Sequence, residues 1–189
     1  MNILLIGSPG SGKGTQARLL IKDFDFAYFS AGDILRHLSK EDTPLGQQIG
    51  RLIGKGKLVS NLLMKKILVD FLKKNRGKDI LLDGYPRNLS QAKTAGQCLV
   101  SRGGLNLVFY LRISDHEAIR RLSSRARTDD ELEVIKRRLS IYKKETQPLI
   151  DYFLQKGDLI FVDGERPIKE IYKEIRKSIN TLYLDTEAN

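Results

Sequence analysis

A chain of 189 residues with 41% hydrophobic and 30% charged side chains can bury one substantial core and is too short for two independent globular domains. It has no run of about 18 apolar residues that could span a bilayer, and a single cysteine excludes an internal disulfide and a cysteine-rich zinc site. Lys and Arg number 33 against 23 Asp and Glu; the formal net charge of +10 suits anionic partners, polyphosphate and nucleic acid alike.

The first element is the apolar run Asn2–Ile6, read as a strand, and it ends at Gly7-Ser8-Pro9-Gly10-Ser11-Gly12-Lys13-Gly14-Thr15. Backbone N–H groups can wrap a polyphosphate only where side chains are absent, and Gly7, Gly10, Gly12 and Gly14 supply that access. The next segment, Lys13–Phe24, has a helical pattern, so its first N–H groups and its dipole face the same anion, and Lys13 adds a full charge. The spacing is that of a P-loop, G-x-x-x-x-G-K, in a variant form. Gly14 follows the lysine where Ser or Thr is usual, and Thr15 comes one place later.

Further strands are expected at Phe26–Phe29, Ile80–Leu82, Leu107–Leu111 and Leu159–Val162. Between them the helical patterns are Gly32–Leu38, Leu45–Ile53, Asn61–Lys74, Ser90–Ser101, Asp115–Ser124, Asp130–Gln155 and Ile168–Thr181. Leu184 to Asn189 carry no apolar pattern and are expected to fray. Alternation of this kind predicts an α/β fold, a parallel sheet covered by helices on both faces, with its ligand beyond the carboxyl ends of the strands. The loops after Ile6, Phe29, Leu82, Leu111 and Val162 should therefore face the nucleotides. Cys98, on the apolar side of its helix, reads as a small core residue. His37 and His116 stand outside any metal-ligand pattern.

The basic residues are interleaved with acids, as in Lys169-Glu170-Ile171-Tyr172-Lys173-Glu174-Ile175-Arg176-Lys177, which describes a solvated helix face. There is no RNA-binding motif and no interleaved aromatic platform, so neither nucleic acid nor membrane is expected as a partner. The N-terminus enters a strand rather than a signal sequence, which predicts a cytoplasmic protein. With no long apolar surface stripe, a monomer is expected. The strand Ile80-Leu81-Leu82 ends in Asp83, where a P-loop protein can place the carboxylate that holds Mg²⁺ through water.

Several motifs follow one another over nearly the whole chain. They are Gly7 to Gln16, Ser30-Ala31-Gly32-Asp33-Ile34-Leu35-Arg36, Gly56-Lys57-Leu58-Val59, Asp83-Gly84-Tyr85-Pro86-Arg87 with Gln91, Arg125-Ala126-Arg127-Thr128-Asp129-Asp130, Arg138, and Val162-Asp163-Gly164. In that order they resemble the nucleoside monophosphate kinases, most closely the short-lid adenylate kinases. The resemblance implies a three-layer P-loop NTPase fold with a five-stranded parallel sheet. It adds a helical NMP-binding subdomain at residues 30–59 and a short lid at 125–131, on a core of residues 1–29, 60–124 and 132–189. It implies reversible Mg²⁺-dependent phosphoryl transfer from ATP to AMP, giving two ADP. Longer-lid relatives insert a small domain with four metal-binding positions, and this chain carries neither, so no structural zinc is expected.

Residue by residue, the resemblance puts the donor phosphates on Gly10, Ser11, Gly12, Lys13, Gly14 and Thr15. Arg121 would stack on the donor adenine, with backbone near Gly164 and Arg166 at its edge. Arg36 and Arg87 would grip the acceptor phosphate, within an AMP site of Ala31, Lys57, Leu58, Val59, Gly84, Tyr85, Pro86 and Gln91. Lys13, Arg87, Arg125, Arg127 and Arg138 would surround the transferring group, and Asp33 and Asp83 would support hydrated Mg²⁺. Arginine suits such positions because its fork meets two phosphate oxygens at once. Asp129-Asp130 read as a helix cap and a lid-hinge pairing, and Gly54 and Gly56 as hinge or turn points.

The acceptor base is the point on which the motifs divide. Gln91 can donate to and accept from the edge of adenine, which favours AMP. Ala31 stands where adenylate kinases usually carry Thr, and Asn88 follows Pro86-Arg87; both features resemble the UMP/CMP kinases. A pyrimidine acceptor is therefore the alternative, and a non-catalytic P-loop nucleotide-binding module is a further one.

Overall fold

The computed structural model describes residues 1–125 and 131–187. Its five strands are β1 (Asn2–Ile6), β2 (Ala27–Ser30), β3 (Ile80–Asp83), β4 (Leu107–Arg112) and β5 (Leu159–Asp163), all parallel, in the spatial order β2-β3-β1-β4-β5. β1 is central, with Leu4 opposite Leu82 on one side and Val108 on the other, and every one of its residues is buried. The helices are α1 (Lys13–Asp23), α2 (Ala31–Leu38), α3 (Pro44–Gly54), α4 (Asn61–Lys74), α5 (Leu89–Leu99), α6 (Asp115–Arg125), α7 (Leu132–Ile141), α8 (Gln147–Lys156) and α9 (Ile168–Glu187).

Pleat alternation sorts the strand side chains onto two faces. Leu4, Ile6, Phe29, Ile80, Leu82, Val108 and Tyr110 point into one core, which α4, α5 and α8 complete with Leu68, Leu99 and Ile150. Ile3, Leu5, Leu81, Phe109, Leu111 and Val162 point into the other, closed by Leu20 of α1 and Ile171, Ile175 and Ile179 of α9. Strands buried on both faces read as continuous apolar runs, which is why the sequence announces them. β1 lies between β3 and β4, and the chain builds the sheet outward from it in both directions, so the loop after β1 lies at the switch in strand order, where open sheets of this kind bind ligands.

Most expected elements fall within a residue or two of the observed ones, with two corrections. The single helix expected over Asp130–Gln155 is interrupted, and its first residue, Asp130, lies outside the described residues. α7 runs into a π-helical turn, Tyr142–Thr146, in which the Gln147 N–H donates to the carbonyl of Tyr142, and α8 begins beyond it. Pro148 is the cause, because it has no N–H for the carbonyl four residues back and its ring crowds that turn. At the other end, where fraying is expected from Leu184 onward, α9 continues to Glu187, and Ala188 and Asn189 lie outside the described residues. Cys98 packs against the core from α5, as expected.

Leu82 is wholly buried between β1 and β2, whereas Leu154 on α8 is 53% exposed. Leu82→Ala is expected to lower the free energy of unfolding by about 2–5 kcal/mol, and Leu154→Ala by no more than about 0.5 kcal/mol, in urea titrations followed by circular dichroism.

Candidate active site

One cleft of about 510 Å³ opens beyond the carboxyl ends of the central strands. Gly7 carries the chain out of β1 past the end of β4; a Cβ there would come within 2.6 Å of the Leu111 carbonyl, so only glycine lets the loop pass. The loop ends at Gly12, the N-cap of α1 in left-handed conformation (φ 91°), and the amides of Thr15 and Gln16 both bond to its carbonyl. Lys13, in the first turn, folds back: its Nζ donates to the carbonyls of Gly7 (2.8 Å) and Ser8 (2.9 Å) and to Ser11 Oγ (3.2 Å). Burial of the ammonium lowers its pKa to about 8; Asp83 opposes that shift, while Arg87, Arg138 and Arg125 add to it.

On the acceptor side, Ser30 caps α2 by accepting from the Asp33 amide, and Arg36 on that helix pairs with Asp33 at 2.5 Å. Arg87 is held from several sides. Its amide donates to Gln91 Oε1 (2.7 Å), its Nε donates to the Gly84 carbonyl (2.8 Å), and its own carbonyl accepts from Thr146 Oγ1 (2.9 Å). Fixing a guanidinium in this way reduces the freedom lost when it grips an anion. Ala31, Lys57, Leu58, Val59 and Gln91 line a smaller recess that shares Arg36, Leu58, Gly84, Arg87 and Arg138 with the cleft.

On the donor side, Arg121 on α6 donates to Glu117 Oε1 (2.5 Å) and to the Gly164 carbonyl (2.9 Å), so its plane is set by two acceptors. Arg120 and Arg121 together hold the Glu117 carboxyl down at about 2. Arg166 pairs with Glu174, and both Arg166 and Gly164 border the cleft. Asp83, at the end of β3, accepts from the Tyr28 hydroxyl at 2.9 Å. A Cβ on Gly14 would sit 3.4 Å from Asp83 Oδ2, so the bare Gly14 leaves space in front of that carboxylate.

The cleft and its recess thus bring together Gly10, Ser11, Gly12, Lys13, Gly14, Thr15, Ala31, Asp33, Arg36, Lys57, Leu58, Val59, Asp83, Gly84, Pro86, Arg87, Gln91, Arg121, Arg125, Arg138, Gly164 and Arg166. Tyr85 is not among them. It is 1% exposed and packs edge-on against Phe29 in the core, with its hydroxyl directed at the Gln91 carbonyl. Its neighbours Gly84 and Pro86 face the site, and the alternation along the chain turns Tyr85 inward. Arg127, Thr128, Asp129 and Asp130 lie outside the described residues, as do residues 126–130 of the expected lid.

Sequence reasoning missed Tyr28, Asn61 and Thr146. Tyr28 pairs with Leu81 in the parallel register of β2 and β3, and its hydroxyl reaches Asp83 two residues further along the same face; no local motif marks it. Thr146 could have been suspected from Pro148 two residues on, which forces the break that turns it toward Arg87. Gly56, expected as a hinge or turn, has φ +65°, and a Cβ there would lie 3.1 Å from Arg138 Cγ and 3.2 Å from the Val134 carbonyl.

A P-loop facing a wall of arginines across one cleft is the arrangement of a phosphotransferase that moves a phosphoryl group between two nucleotides. Residues 5–158 match the family model described as adenylate kinase. An adenylate kinase of Parabacteroides distasonis is 37% identical over 188 residues, covering 96% of this chain and 99% of the relative. One from Prochlorococcus marinus strain MIT 9301 is 41% identical over 179 residues, 94% and 98% of the two chains. One from Caldanaerobacter subterraneus subsp. tengcongensis is 35% identical over 212 aligned residues, 95% and 96%. The chain belongs to the adenylate kinase family, and is a nucleoside monophosphate kinase. A UMP/CMP kinase, the alternative raised by Ala31 and Asn88, is not favoured by these relatives.

Gly56→Ala is expected to cost about 1–2 kcal/mol for the left-handed backbone alone and to push α7 and Arg138 away from the cleft. Thermal denaturation and steady-state assays should therefore both report a loss.

Proposed function

We propose that the chain transfers a phosphoryl group reversibly between ATP and AMP, giving two ADP, with ATP on the P-loop side and AMP in the recess formed by Arg36, Arg87 and Gln91. The observation that carries this reading is that Lys13, Arg87, Arg125 and Arg138 line one cleft, and the three arginine charges add to the lowering of the Lys13 pKa. Phosphoryl transfer asks little covalent chemistry of a protein; it needs donor and acceptor in line and positive charge around the equatorial oxygens.

In this reading the loop amides and Lys13 hold the donor phosphates, Arg36 and Arg87 hold the acceptor phosphate, and Arg125, Arg127 and Arg138 surround the group in transit. Arg121 covers the donor adenine, with Gly164 and Arg166 beside it. Gln91 meets the acceptor base. Among the described residues no group of three or more His, Cys, Asp or Glu forms a metal cage. Asp83 and Asp33, the carboxylates that border the cleft among the described residues, would hold Mg²⁺ through water, which suits an ion that keeps several waters and binds phosphates. When bound, Mg²⁺ neutralises charge on the phosphate oxygens.

Residues 30–59 are proposed to close over AMP and 125–131 over ATP, excluding water that would otherwise accept the phosphoryl group. We further propose that the chain works as a monomer in the cytoplasm. In support, its exposed large hydrophobics, such as Leu62, Val100 and Phe161, are scattered over separate elements. No described helix is long and apolar enough to cross a membrane.

Incubation with MgATP and, separately, AMP, CMP, UMP, GMP or dTMP, followed by nucleotide chromatography, is expected to give rapid diphosphate formation with AMP alone. Preference for CMP or UMP would overturn the acceptor assignment, and binding of ATP without transfer would point to a non-catalytic module. Arg87→Ala is expected to lower kcat/KM for AMP by about 10²–10³-fold with the fold intact by circular dichroism.

The pKa of Lys13 sets a pH dependence. Lysine holds an anion only when protonated, so kcat/KM for ATP, which reports the free enzyme, is expected to fall as pH rises through about 8. kcat should hold to higher pH, because bound phosphate stabilises the ammonium. Lys13→Arg should abolish the fall between pH 7.5 and 9.5 whatever it does to the absolute rate; an unchanged profile would exclude Lys13 as its source.

A further inference from the structure

An amide that reads a base is selective only if its oxygen and nitrogen each have a fixed place. Adenine presents an acceptor, N1, beside the 6-amino donor, and a 6-oxopurine presents the reverse, N1–H beside a carbonyl. A side-chain amide free to turn over would pair with either. In this structure two backbone N–H groups dictate the polarity around Gln91. The Arg87 amide donates to Gln91 Oε1 at 2.7 Å, which requires oxygen at that position. The Gln91 amide donates to Asn88 Oδ1 at 2.9 Å, which turns Asn88 Nδ2 outward, where it donates to Asn61 Oδ1 at 3.2 Å. The same Asn61 oxygen accepts from Gln91 Nε2 at 2.9 Å. Each donor or acceptor is thus fixed by the one before it, and the chain starts from peptide groups that have no second polarity. Gln91 commits one N–H and one lone pair to these contacts and keeps one of each for a ligand. It is 2% exposed and borders the recess together with Ala31, Val59 and Met64.

We propose that Asn61, 30 residues from Gln91 in sequence, is a specificity-determining positioning residue: it holds the Gln91 amide in the polarity that accepts a 6-aminopurine and rejects a 6-oxopurine. The proposal rests on the reading that Gln91 meets the acceptor base. Asn61 occupies the first position of α4, but it is not the cap of that helix. Ser60 Oγ performs that task by accepting from the Leu63 amide. Removing the Asn61 side chain therefore removes the tether and leaves the helix start in place.

The test is steady-state kinetics with ATP as donor and AMP or IMP as acceptor, for the unmodified chain, Asn61→Ala, Asn61→Asp, Gln91→Ala and the Asn61→Ala/Gln91→Ala double variant. Loss of one neutral hydrogen bond predicts that Asn61→Ala raises KM for AMP about five- to ten-fold while kcat and KM for ATP stay within about two-fold. The preference for AMP over IMP in kcat/KM should shrink by a similar factor. Asn61→Asp keeps an oxygen facing both Gln91 and Asn88 and should restore KM for AMP. Gln91→Ala should raise KM for AMP, and the double variant should be no worse than Gln91→Ala, since Asn61 acts only through Gln91. A silent Asn61→Ala alongside an AMP-specific defect in Gln91→Ala would overturn the proposal and leave the reading of Gln91 standing. Equal rises in KM for both nucleotides, no rescue by Asp, or additive losses in the double variant would overturn the proposal as well. No AMP-specific effect of Gln91→Ala would overturn both.

Discussion

Repulsion between like charges is the constraint on which the rest of this structure depends. Among the described residues, Lys13, Arg18, Arg36, Arg87, Arg121, Arg125, Arg138 and Arg166 border one cleft, with only Asp33 and Asp83 of opposite sign. At an effective dielectric constant near 20, two unit charges about 4 Å apart interact by about 4 kcal/mol, so such a cluster holds together only if the fold supplies compensation. Much of it comes from peptide carbonyls. Lys13 rests on Gly7 and Ser8, Arg87 on Gly84, and Arg121 on Gly164. These are dipoles of the very loops that a nucleotide would contact, so a phosphate can take over a role that the backbone fills in its absence. The pKa of Lys13, lowered first by burial of the ammonium, carries a smaller trace of that repulsion from Arg87, Arg138 and Arg125.

The sheet makes the arrangement affordable. Its central strands are buried on both faces, and pleat alternation commits nearly every side chain of β1, β3 and β4 to one apolar core or the other. That rigidity ends at the carboxyl edge, where the chain leaves β1 for the loop, β2 for α2 and β3 for Asp83. Lys13, Asp33, Asp83 and Arg87 are therefore carried by strand ends, turns and first helical turns anchored to a frame that does not yield, while Arg36, Arg125 and Arg138 reach the cleft from last helical turns. Helix caps continue the same logic outward: Ser30, Thr43, Ser60 and Asn88 each satisfy an amide at a helix start. The cap at Asn88 belongs at once to α5 and to the polar network around Gln91.

Much of this was legible in the sequence, for identifiable reasons. Continuous apolar runs gave away the strands, and the glycines with Lys13 gave away the loop, because both signals are local. What was not legible depends on neighbours distant in the chain. Tyr28 meets Asp83 through strand register, Asn61 meets Gln91 across two helix starts, and Tyr85 turns into the core although Gly84 and Pro86 beside it face the cleft. The interruption of the helix expected over Asp130–Gln155 was marked by Pro148. An apolar pattern that runs on either side of a proline nonetheless reads as one helix until its phase is checked.

That interruption sets a phase. Each residue of an α-helix turns the side-chain direction by about 100°. The wide turn at Tyr142–Thr146 therefore offsets the face that carries Arg138 toward the cleft from the face that carries Leu149, Ile150 and Phe153 onto the sheet. Between these two obligations sits Thr146, directed at the Arg87 carbonyl. The segment is thus metered by residue count as well as by chemistry. Deleting one residue from the turn would rotate everything beyond it by about 100°, so that either the sheet contact or the arginine would be lost. A surface loop absorbs such a change of length; here the helix works as a gear with its teeth already engaged on both sides.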